Sequence, residues 1–282
     1  MKLLTLNTHS LVENNYERKL RDFTKAAAIN KPDIIALQEV NQTCTEEIIP
    51  PSELPGYVPC GNTPETVRKD NHVYNAVKLL AEKGVDYYWT WLGMKLGYNK
   101  YDEGIALMSR SRILEARSFT VSAIDDYHNW KTRKIIGIRT ENAPDTWFYS
   151  VHLGWWNDED ELFQEQWRRL GEAVSGDKRA WLMGDFNSPA EVRGEGYDLI
   201  SSAGWHDSFK LAEKHDSGIT VGGVIDGWRD KLSSECSGMR IDQLWCSENV
   251  PVVSSKVIFN GENAPVVSDH YGVIIETRDE IR

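Results

Sequence analysis

The sequence predicts a two-sheet α/β sandwich with helices on the outer faces of the sheets. Early β-rich segments alternate with helical segments, and later β-rich segments follow one another as in a meander. Several apolar segments also stop abruptly at polar or charged residues. Because no internal repeat, low-complexity linker or domain boundary is evident, we expect a single domain over residues 1–282.

The predicted strands are short apolar segments rich in β-branched and aromatic residues. They cover residues 2–6, 33–37, 104–108, 113–121, 134–139, 147–151, 180–183, 241–246, 252–259 and 271–277. Residues 104–139 are interpreted as neighbouring strands of a meander. This amount of β-structure is sufficient for two packed sheets.

Three segments carry the apolar spacing of amphipathic helices. They are residues 16–29, 74–83 and 159–173, and Asp158 is a candidate N-terminal cap for the third. Residues 41–72 are rich in Pro, Thr, Glu and Asn, which predicts a surface excursion.

The charge balance is acidic, with 32 Lys and Arg against 43 Asp and Glu and a net charge of −11. Proteins that grip long polyanions usually present a basic face, because neutralising phosphates releases counterions. An acidic total leaves room for a local basic patch, but it disfavours a non-specific nucleic-acid binder. It is compatible with a small phosphorylated substrate, and nothing in the sequence indicates an obligate protein partner.

The cysteine pattern indicates reduced thiols. Cys44, Cys60, Cys236 and Cys246 form no C-x-x-C pair and no zinc-like cluster with His. The first residues read as a strand and not as a signal peptide, and no apolar run approaches the roughly 20 residues that span a bilayer. We therefore expect a cytoplasmic protein that does not enter a membrane.

Polar residues follow one predicted strand after another, at the point where the apolar segment ends or the next one begins. They are Asn7, Glu39, His152, Asp185, Asn187, Asp269 and His270. Burying carboxylates beside apolar strands is costly unless they are paired or bind a cation. Gathered at one rim, these residues would form an oxygen-rich site suited to Mg²⁺.

Six segments in this order resemble the endonuclease/exonuclease/phosphatase superfamily, which includes DNase I-like nucleases, inositol-phosphate phosphatases and sphingomyelinases. The segments run from residue 7 to residue 270: Leu6-Asn7-Thr8, Leu37-Gln38-Glu39, Ser150-Val151-His152-Leu153, Gly184-Asp185-Phe186-Asn187, Arg240-Ile241-Asp242 and Ser268-Asp269-His270. The resemblance implies the four-layer, DNase I-like form of the sandwich. It also implies a hydrolase of phosphate esters that depends on Mg²⁺ or Mn²⁺.

The resemblance implies a metal site first. Glu39 would bind the metal directly, and Asn7 and Asp269 would complete its surroundings directly or through water. The ion would polarise a phosphoryl oxygen and neutralise developing charge.

The same resemblance implies the catalytic roles. Asp185 would orient or deprotonate the attacking water, and Asn187 would help to hold the phosphate. His152 and His270 would donate to the phosphoryl oxygens as charge builds, with Asp242 pairing to His270 and favouring its protonated form. Water would attack in line, so no covalent phospho-enzyme is expected.

Simpler readings exist for each segment alone. The residues around Asp185 could form a polar turn, the Ser-Asp-His segment could be a helix cap, and His152 could be a core histidine. The remaining histidines are interpreted as structural or surface residues: His9, His72, His128, His206 and His215. Glu103 either accepts a hydrogen bond from His152 or an active-site water, or is an exposed edge carboxylate.

Tryptophans and a basic segment bear on the substrate. Trp130, Trp155 and Trp156 lie in polar, loop-like surroundings, where they could line a carbohydrate pocket. Lys131 and Arg133 belong to a compact basic segment that could meet a substrate phosphate or form a solvated turn. The tryptophans on predicted strands are assigned to the core instead: Trp147, Trp181 and Trp245.

Three further segments resemble a subgroup of low-GC Gram-positive bacteria that includes maltose 6′-phosphate phosphatase. They are Leu-Asn-Thr-His-Ser, Tyr-Asp-Glu-Gly-Ile-Ala-Leu-Met-Ser-Arg and Asn-Trp-Lys-Thr-Arg-Lys. This likeness implies a phosphomonoesterase that acts on a phosphorylated sugar. The alternative enzyme is a metal-dependent nuclease or phosphodiesterase that uses the same residues. The alternative outside enzymes is a binding module that has lost catalysis, against which the full set of acidic and histidine residues argues.

Overall fold

The computed structural model describes residues 1–61, 65–223, 225, 228 and 238–278. Its strands are β1 (Lys2–Asn7), β2 (Ile34–Thr43), β3 (Tyr88–Gly97), β4 (Tyr101–Ser109), β5 (Ile113–Thr120), β6 (Lys134–Thr140), β7 (Ala143–His152), β8 (Arg179–Asp185), β9 (His206–Asp207), β10 (Ala212–His215), β11 (Asp242–Cys246), β12 (Val252–Ile258) and β13 (Gly272–Thr277). Its α-helices are α1 (Tyr16–Asn30), α2 (His72–Ala81), α3 (Phe163–Val174), α4 (Gly196–Ser202) and α5 (Ser208–Leu211), with 3-10 helices at Ser10–Val12 and Pro51–Glu53.

The strands form two sheets. The first has the order β10-β12-β13-β1-β2-β4-β3, and the second has the order β5-β6-β7-β8-β11-β9. In the first sheet β1 and β2 are parallel, and in the second β7 and β8 are parallel. The carboxyl ends of each parallel pair therefore meet at one edge of their sheet.

Three apolar clusters define four layers. One cluster packs α1 and α2 against the first sheet, through residues such as Phe23 and Leu80. A second fills the space between the sheets, and a third packs α3 and α4 against the second sheet. The fold is therefore the predicted two-sheet sandwich with helices outside.

Because side chains alternate along a strand, the polar side chains at several strand ends point into the space between the sheets. Leu3 of β1, Ile34 of β2, Phe148 of β7, Met183 of β8 and Leu244 of β11 all belong to the inter-sheet cluster. Side chains an even number of positions along each strand share that direction. The polar residues at or next to the ends of these strands follow the same parity: Asn7, Gln38, His152, Asp185 and Asp242.

A buried polar link joins the sheets just below this edge. Gln38 Nε2 donates to Ser150 Oγ at 2.9 Å, and Ser150 Oγ donates to the carbonyl of Leu37 at 3.0 Å. Each partner is satisfied, so the link costs little and holds the two sheets at a fixed register.

Strand predictions were wrong in two places. Strand β3 was missed, because a register shift between Gly93 and Lys95 breaks the alternation of its side chains. The meander over residues 104–139 was also wrong in part, since β4 pairs with β2 and β3 in the first sheet whereas β5 opens the second. The antiparallel meander runs only from β5 to β7.

Two smaller predictions are also corrected. Asp158 does not cap α3, which begins at Phe163; its carboxylate accepts from the backbone N–H groups of Asp160 and Glu161 at 3.0 Å. The segment 41–72 is not simply a surface excursion, because β2 runs on to Thr43 and several of its apolar side chains enter the core: Ile49, Leu54 and Val67.

Of the cysteines, Cys44 and Cys60 are free thiols, and Cys236 lies outside the described residues. None of the helices in the described part of the chain is long and apolar enough to cross a membrane.

Candidate active site

Glu39 is aimed into the site by a bulge in β2. Its φ of 51° is left-handed, and the pairing of β2 with β4 shifts register between Leu37 and Val40. Bulges of this kind redirect a side chain next to a functional site. The Glu39 carboxylate accepts a hydrogen bond from Asn7 Nδ2 at 2.9 Å. Burial and the charge of Glu103 raise the pKa of Glu39 above its usual value.

Asn7 joins the two sheets at this edge, because the same Nδ2 also donates to Asp185 Oδ2 at 3.1 Å. The other oxygen of Asp185 accepts from the backbone N–H of Asn187 at 2.8 Å. Burial raises the pKa of Asp185 to about 7, although the neighbouring His270 lowers it. Asn187 has a left-handed φ of 46°, and its Nδ2 donates to the carbonyl of Leu153 at 3.0 Å.

The predicted pairing of His270 with Asp242 is present. His270 Nδ1 lies 2.9 Å from Asp242 Oδ2, and both side chains are buried. Burial opposes a charge on the ring, but Asp242 and then Asp185 raise the pKa of His270 well above its ordinary value. The protonated ring is therefore favoured, and its Nε2 lies 3.9 Å from Asp185 Oδ2.

His152 faces Asp185 from β7 in the opposite protonation state. Its Nε2 lies 3.7 Å from Asp185 Oδ2. Burial, followed by the charges of Arg133 and Lys95, holds the pKa of His152 well below its usual value. The neutral ring is therefore favoured, and within the described chain its Nδ1 has no hydrogen-bond partner.

Asp269 lies beside His9 and Glu13. His9 Nδ1 is 2.9 Å from Glu13 Oε1 and 3.8 Å from Asp269 Oδ1, and Glu13 accepts the backbone N–H of Asp269 at 3.0 Å. Burial opposes a charge on His9, but Glu13, Glu39 and Asp269 raise its pKa to about 9. His9, interpreted from the sequence as a structural or surface residue, thus lies at the edge of the acidic cluster.

The donor set fits a hard divalent cation. Glu39, Asp185 and Asp269 bring carboxylate oxygens together with the amide of Asn7, and such oxygens are the ligands that Mg²⁺ and Mn²⁺ prefer. Within the described residues, no Lys or Arg forms an ion pair with Glu39. The described partners of this half-buried carboxylate are the Asn7 amide and the charge of His9, and a bound cation would stabilise its ionised form further.

A cleft of about 480 Å³ opens from this cluster. Of the predicted site residues, its walls include Glu39, Glu103, Trp130, Arg133, His152, Trp155, Asp185, Asn187 and His270. Trp130 is 53% exposed, and its ring centroid lies 5.7 Å from that of Trp155. These two rings form an aromatic side of the cleft.

The structure places three predicted substrate residues differently. Lys131 is not among the residues that line the cleft, and its Nζ pairs with Asp158 and Asp160, each at 2.7 Å. Trp156 packs against Phe163 in the cluster under α3 and is not part of the cleft wall. Glu103 is neither an exposed carboxylate nor a partner of His152, because it is buried and its Oε1 lies 3.1 Å from Lys95 Nζ.

Lys95 and Tyr98 also line the cleft and were missed by the sequence reading. Lys95 comes from the unpredicted strand β3, directly opposite Glu103 in the register of β4. Tyr98 follows the end of that strand, with its hydroxyl 3.1 Å from His9 Nε2. The local sequence offered no alternating pattern from which either position could be inferred.

Fold and site together define a hydrolase of phosphate esters. The chain belongs to the Endonuclease/Exonuclease/phosphatase family, whose family model matches residues 4–270. Members of this family act on phosphoester bonds and include phosphatases and nucleases. They typically depend on a divalent metal.

Solved structures show the same fold. An endonuclease/exonuclease/phosphatase family protein from Leptotrichia buccalis C-1013-b matches with a TM-score of 0.86 and 30% identity, covering 99% of this chain and 100% of that one. A mannosyl-6-phosphatase from Bacteroides thetaiotaomicron VPI-5482 matches with a TM-score of 0.66 and 16% identity, over 99% and 100% of the two chains. The 3′ phosphatase NExo from Neisseria, bound to product DNA hairpin, matches with a TM-score of 0.60 and 16% identity over the same shares. Among curated proteins, none matches the sequence.

Proposed function

We propose that this protein is a phosphomonoesterase that uses Mg²⁺ or Mn²⁺ and acts on phosphorylated sugars such as maltose 6′-phosphate. The observation that carries the proposal is the cleft, which joins a buried acidic and histidine cluster to an aromatic side formed by Trp130 and Trp155. Its volume of about 480 Å³ lies in the range of small-molecule sites.

The metal would be held by Glu39, Asn7 and Asp269. When bound, it supplies positive charge that neutralises the phosphoryl oxygens. The oxygen-rich donor set supports this assignment, and within the described residues no Lys or Arg forms an ion pair with Glu39.

The protein residues would perform the hydrolysis around that charge. Asp185, held by Asn7 and by the backbone of Asn187, orients the attacking water and accepts its proton. The His270 imidazolium and the neutral His152 donate to the phosphoryl oxygens, and Asn187 helps to hold them. The bond from water oxygen to phosphorus forms as the ester bond breaks in line, and the sugar hydroxyl leaves with a proton.

Three observations support a sugar as the other half of the substrate. The exposed face of Trp130 and the tilted ring of Trp155 offer apolar surfaces of the kind against which sugar rings pack. The net charge is −11, which is unfavourable to the binding of a nucleic-acid strand. A mannosyl-6-phosphatase shares the fold.

A substrate panel tests the proposal. The purified protein is incubated with Mg²⁺ or Mn²⁺ and maltose 6′-phosphate, mannose 6-phosphate, glucose 6-phosphate, duplex DNA or DNA ending in a 3′-phosphate, and released phosphate and DNA length are measured. We expect phosphate from at least one sugar phosphate, and none in EDTA. Cleavage of DNA without phosphate release from any sugar ester would overturn the proposal in favour of a nuclease.

A further inference from the structure

Two buried cations line the same cleft as the acidic cluster. Arg133 is 2% exposed and the side chain of Lys95 is 8% exposed, and both lie in the wall that also contains His152 and Asp185. Lys and Arg are rarely buried to this extent without a partner for the charge. The contacts of these two side chains therefore indicate the charge of the ligand that the cleft binds.

The described hydrogen bonds of Arg133 go to backbone carbonyls. Its Nη1 donates to the carbonyls of Trp130 at 3.0 Å and Thr132 at 3.3 Å. Its Nε is buried without a hydrogen-bond partner, and in the part of the chain that is described no carboxylate forms an ion pair with it. A buried guanidinium in this state is incompletely compensated, which is unfavourable unless an anion binds beside it.

Lys95 is held next to Arg133 through a shared acceptor. Lys95 Nζ donates to the same Trp130 carbonyl at 2.8 Å and lies 3.1 Å from Glu103 Oε1. Glu103 is thus paired with Lys95, whereas Arg133 interacts with Glu103, Glu39 and Asp185 only through their charge, without a described ion pair. The Trp130 carbonyl sets the spacing of the two cations, since both donate to it.

The location of these cations indicates which anion they receive. Burial and the charges of Arg133 and Lys95 lower the pKa of His152, so both cations act on the side chain that faces Asp185. Glu39 and Asp185 line the same cleft, and the proposed function assigns them to the metal and to the attacking water. A phosphoryl group bound at these two residues would therefore lie in the cleft that Lys95 and Arg133 also line.

We propose that Lys95 and Arg133 select phosphomonoesters over phosphodiesters by binding the additional ionised oxygen that only a terminal phosphoryl group carries. This inference rests on the proposed function and names what makes that site a monoesterase. An Arg fork can bind two phosphoryl oxygens at once, while Lys supplies a point charge. A diester has one ionised oxygen fewer, so it gains less from this wall.

The test compares two substrates of the same chemistry. Rates with 4-nitrophenyl phosphate and bis(4-nitrophenyl) phosphate are measured in Mn²⁺ for wild type, Arg133→Met, Arg133→Lys and Lys95→Met. We expect kcat/KM for the monoester to fall roughly 10- to 100-fold in the Met variants, with the diester changed by less than about 3-fold. Arg133→Lys should recover part of the monoester rate. Lys134→Met, which removes a neighbouring cation that pairs with Asp125, is the control and should leave the ratio unchanged.

Inorganic phosphate provides an independent measurement. Its inhibition constant should rise roughly 10-fold or more in Arg133→Met, whichever substrate is hydrolysed. An equal loss on both substrates, or an unchanged phosphate inhibition constant, overturns the selective role of this wall. If wild type cleaves only the diester while phosphate binding still depends on Arg133, the proposed monoesterase function fails, and the anion-binding wall remains.

Discussion

His270 Nδ1 lies 2.9 Å from Asp242 Oδ2, with both side chains almost fully buried. His270 precedes β13 of the first sheet, and Asp242 is the first residue of β11 in the second. The pair orients the ring so that its other nitrogen faces Asp185 at 3.9 Å. A buried carboxylate in this position stabilises the imidazolium and fixes which nitrogen is free to donate. The Asp242 carboxylate therefore orients His270 through Nδ1, and Nε2 is left as the hydrogen-bond donor on the side of Asp185.

Replacing Asp242 by Asn should lower kcat by about 100-fold or more, because the ring loses the charge that keeps it protonated. The shape is kept, so the melting temperature should change little. Steady-state rates and thermal unfolding measure the two effects. Asp207→Asn is the matched control, since it breaks the buried pair with Arg240. It should destabilise the fold while leaving kcat of the folded protein intact, and similar losses of kcat in both variants would contradict the role of Asp242.

Replacing Glu39 by Gln should abolish metal-dependent turnover. The side-chain oxygen of the introduced Gln can still accept the hydrogen bond from Asn7. Because Gln carries no charge, the variant does not have the unfavourable burial and repulsion from Glu103 that raise the pKa of Glu39. We therefore expect the metal-free variant to be at least as stable as wild type, and Mn²⁺ to raise the melting temperature of wild type alone. Glu17→Gln, on the exposed face of α1, serves as the control for thermal shift and activity. Metal-dependent stabilisation of Glu39→Gln would exclude Glu39 as a metal ligand.

Replacing Trp130 by Ala should raise KM for a sugar phosphate about 10-fold and leave kcat close to wild type, since the exposed indole contacts the sugar and not the reacting atoms. The backbone carbonyl that Lys95 and Arg133 share is retained. An ester without a sugar ring should show no change in KM. Tyr88→Ala, which truncates an exposed aromatic side chain at the start of β3, is the control. A fall in kcat for both kinds of ester would contradict a role limited to the sugar.

Stability should depend on pH through His72. Burial lowers its pKa to about 3, whereas in the unfolded chain the value is near 6.5. The unfolded state therefore binds the proton first, so this contribution to stability is complete above pH 6.5 and is lost as the pH falls toward 3. Between pH 7.5 and pH 5 the loss is about 2 kcal/mol.

Urea unfolding of wild type and His72→Leu at both pH values measures this contribution. The variant also leaves the hydroxyl of Tyr16 without its partner, which lowers stability equally at both pH values. The difference between the two pH values should shrink by about 2 kcal/mol in the variant. Leu80→Ala, a buried truncation on the same helix, should keep the wild-type difference. An unchanged pH dependence in His72→Leu would contradict the assignment.

Much of the site could be predicted because its residues continue the alternation of apolar strands. Asn7 and Asp185 each follow a strand whose inward side chains are readable from the sequence, so their direction follows from counting. Glu39 was placed correctly only through its motif, because the bulge that turns it into the cleft has no pattern of its own.

Other features depend on contacts that are distant along the chain. Lys95 reaches the cleft from β3, which shifts register against β4, and His9 comes to lie beside Asp269 through a left-handed turn after β1. Strands β4 and β5 are neighbours in the sequence but lie in different sheets. Local periodicity carries no information about which sheet a strand joins, so that assignment required the folded structure.

The residues of the cleft stand on two kinds of backbone, the ends of paired strands and the segments that connect them. Asn7, Asp185 and Asp242 are locked to the sheet backbones, so the bond-breaking end of the cleft moves only if a whole strand moves. Trp130 and Trp155 stand on connecting segments that can change in length and composition with little effect on the sheets. Substitutions or length changes in the connecting segments could therefore alter which substrate binds, while the residues that break the phosphate ester keep their positions.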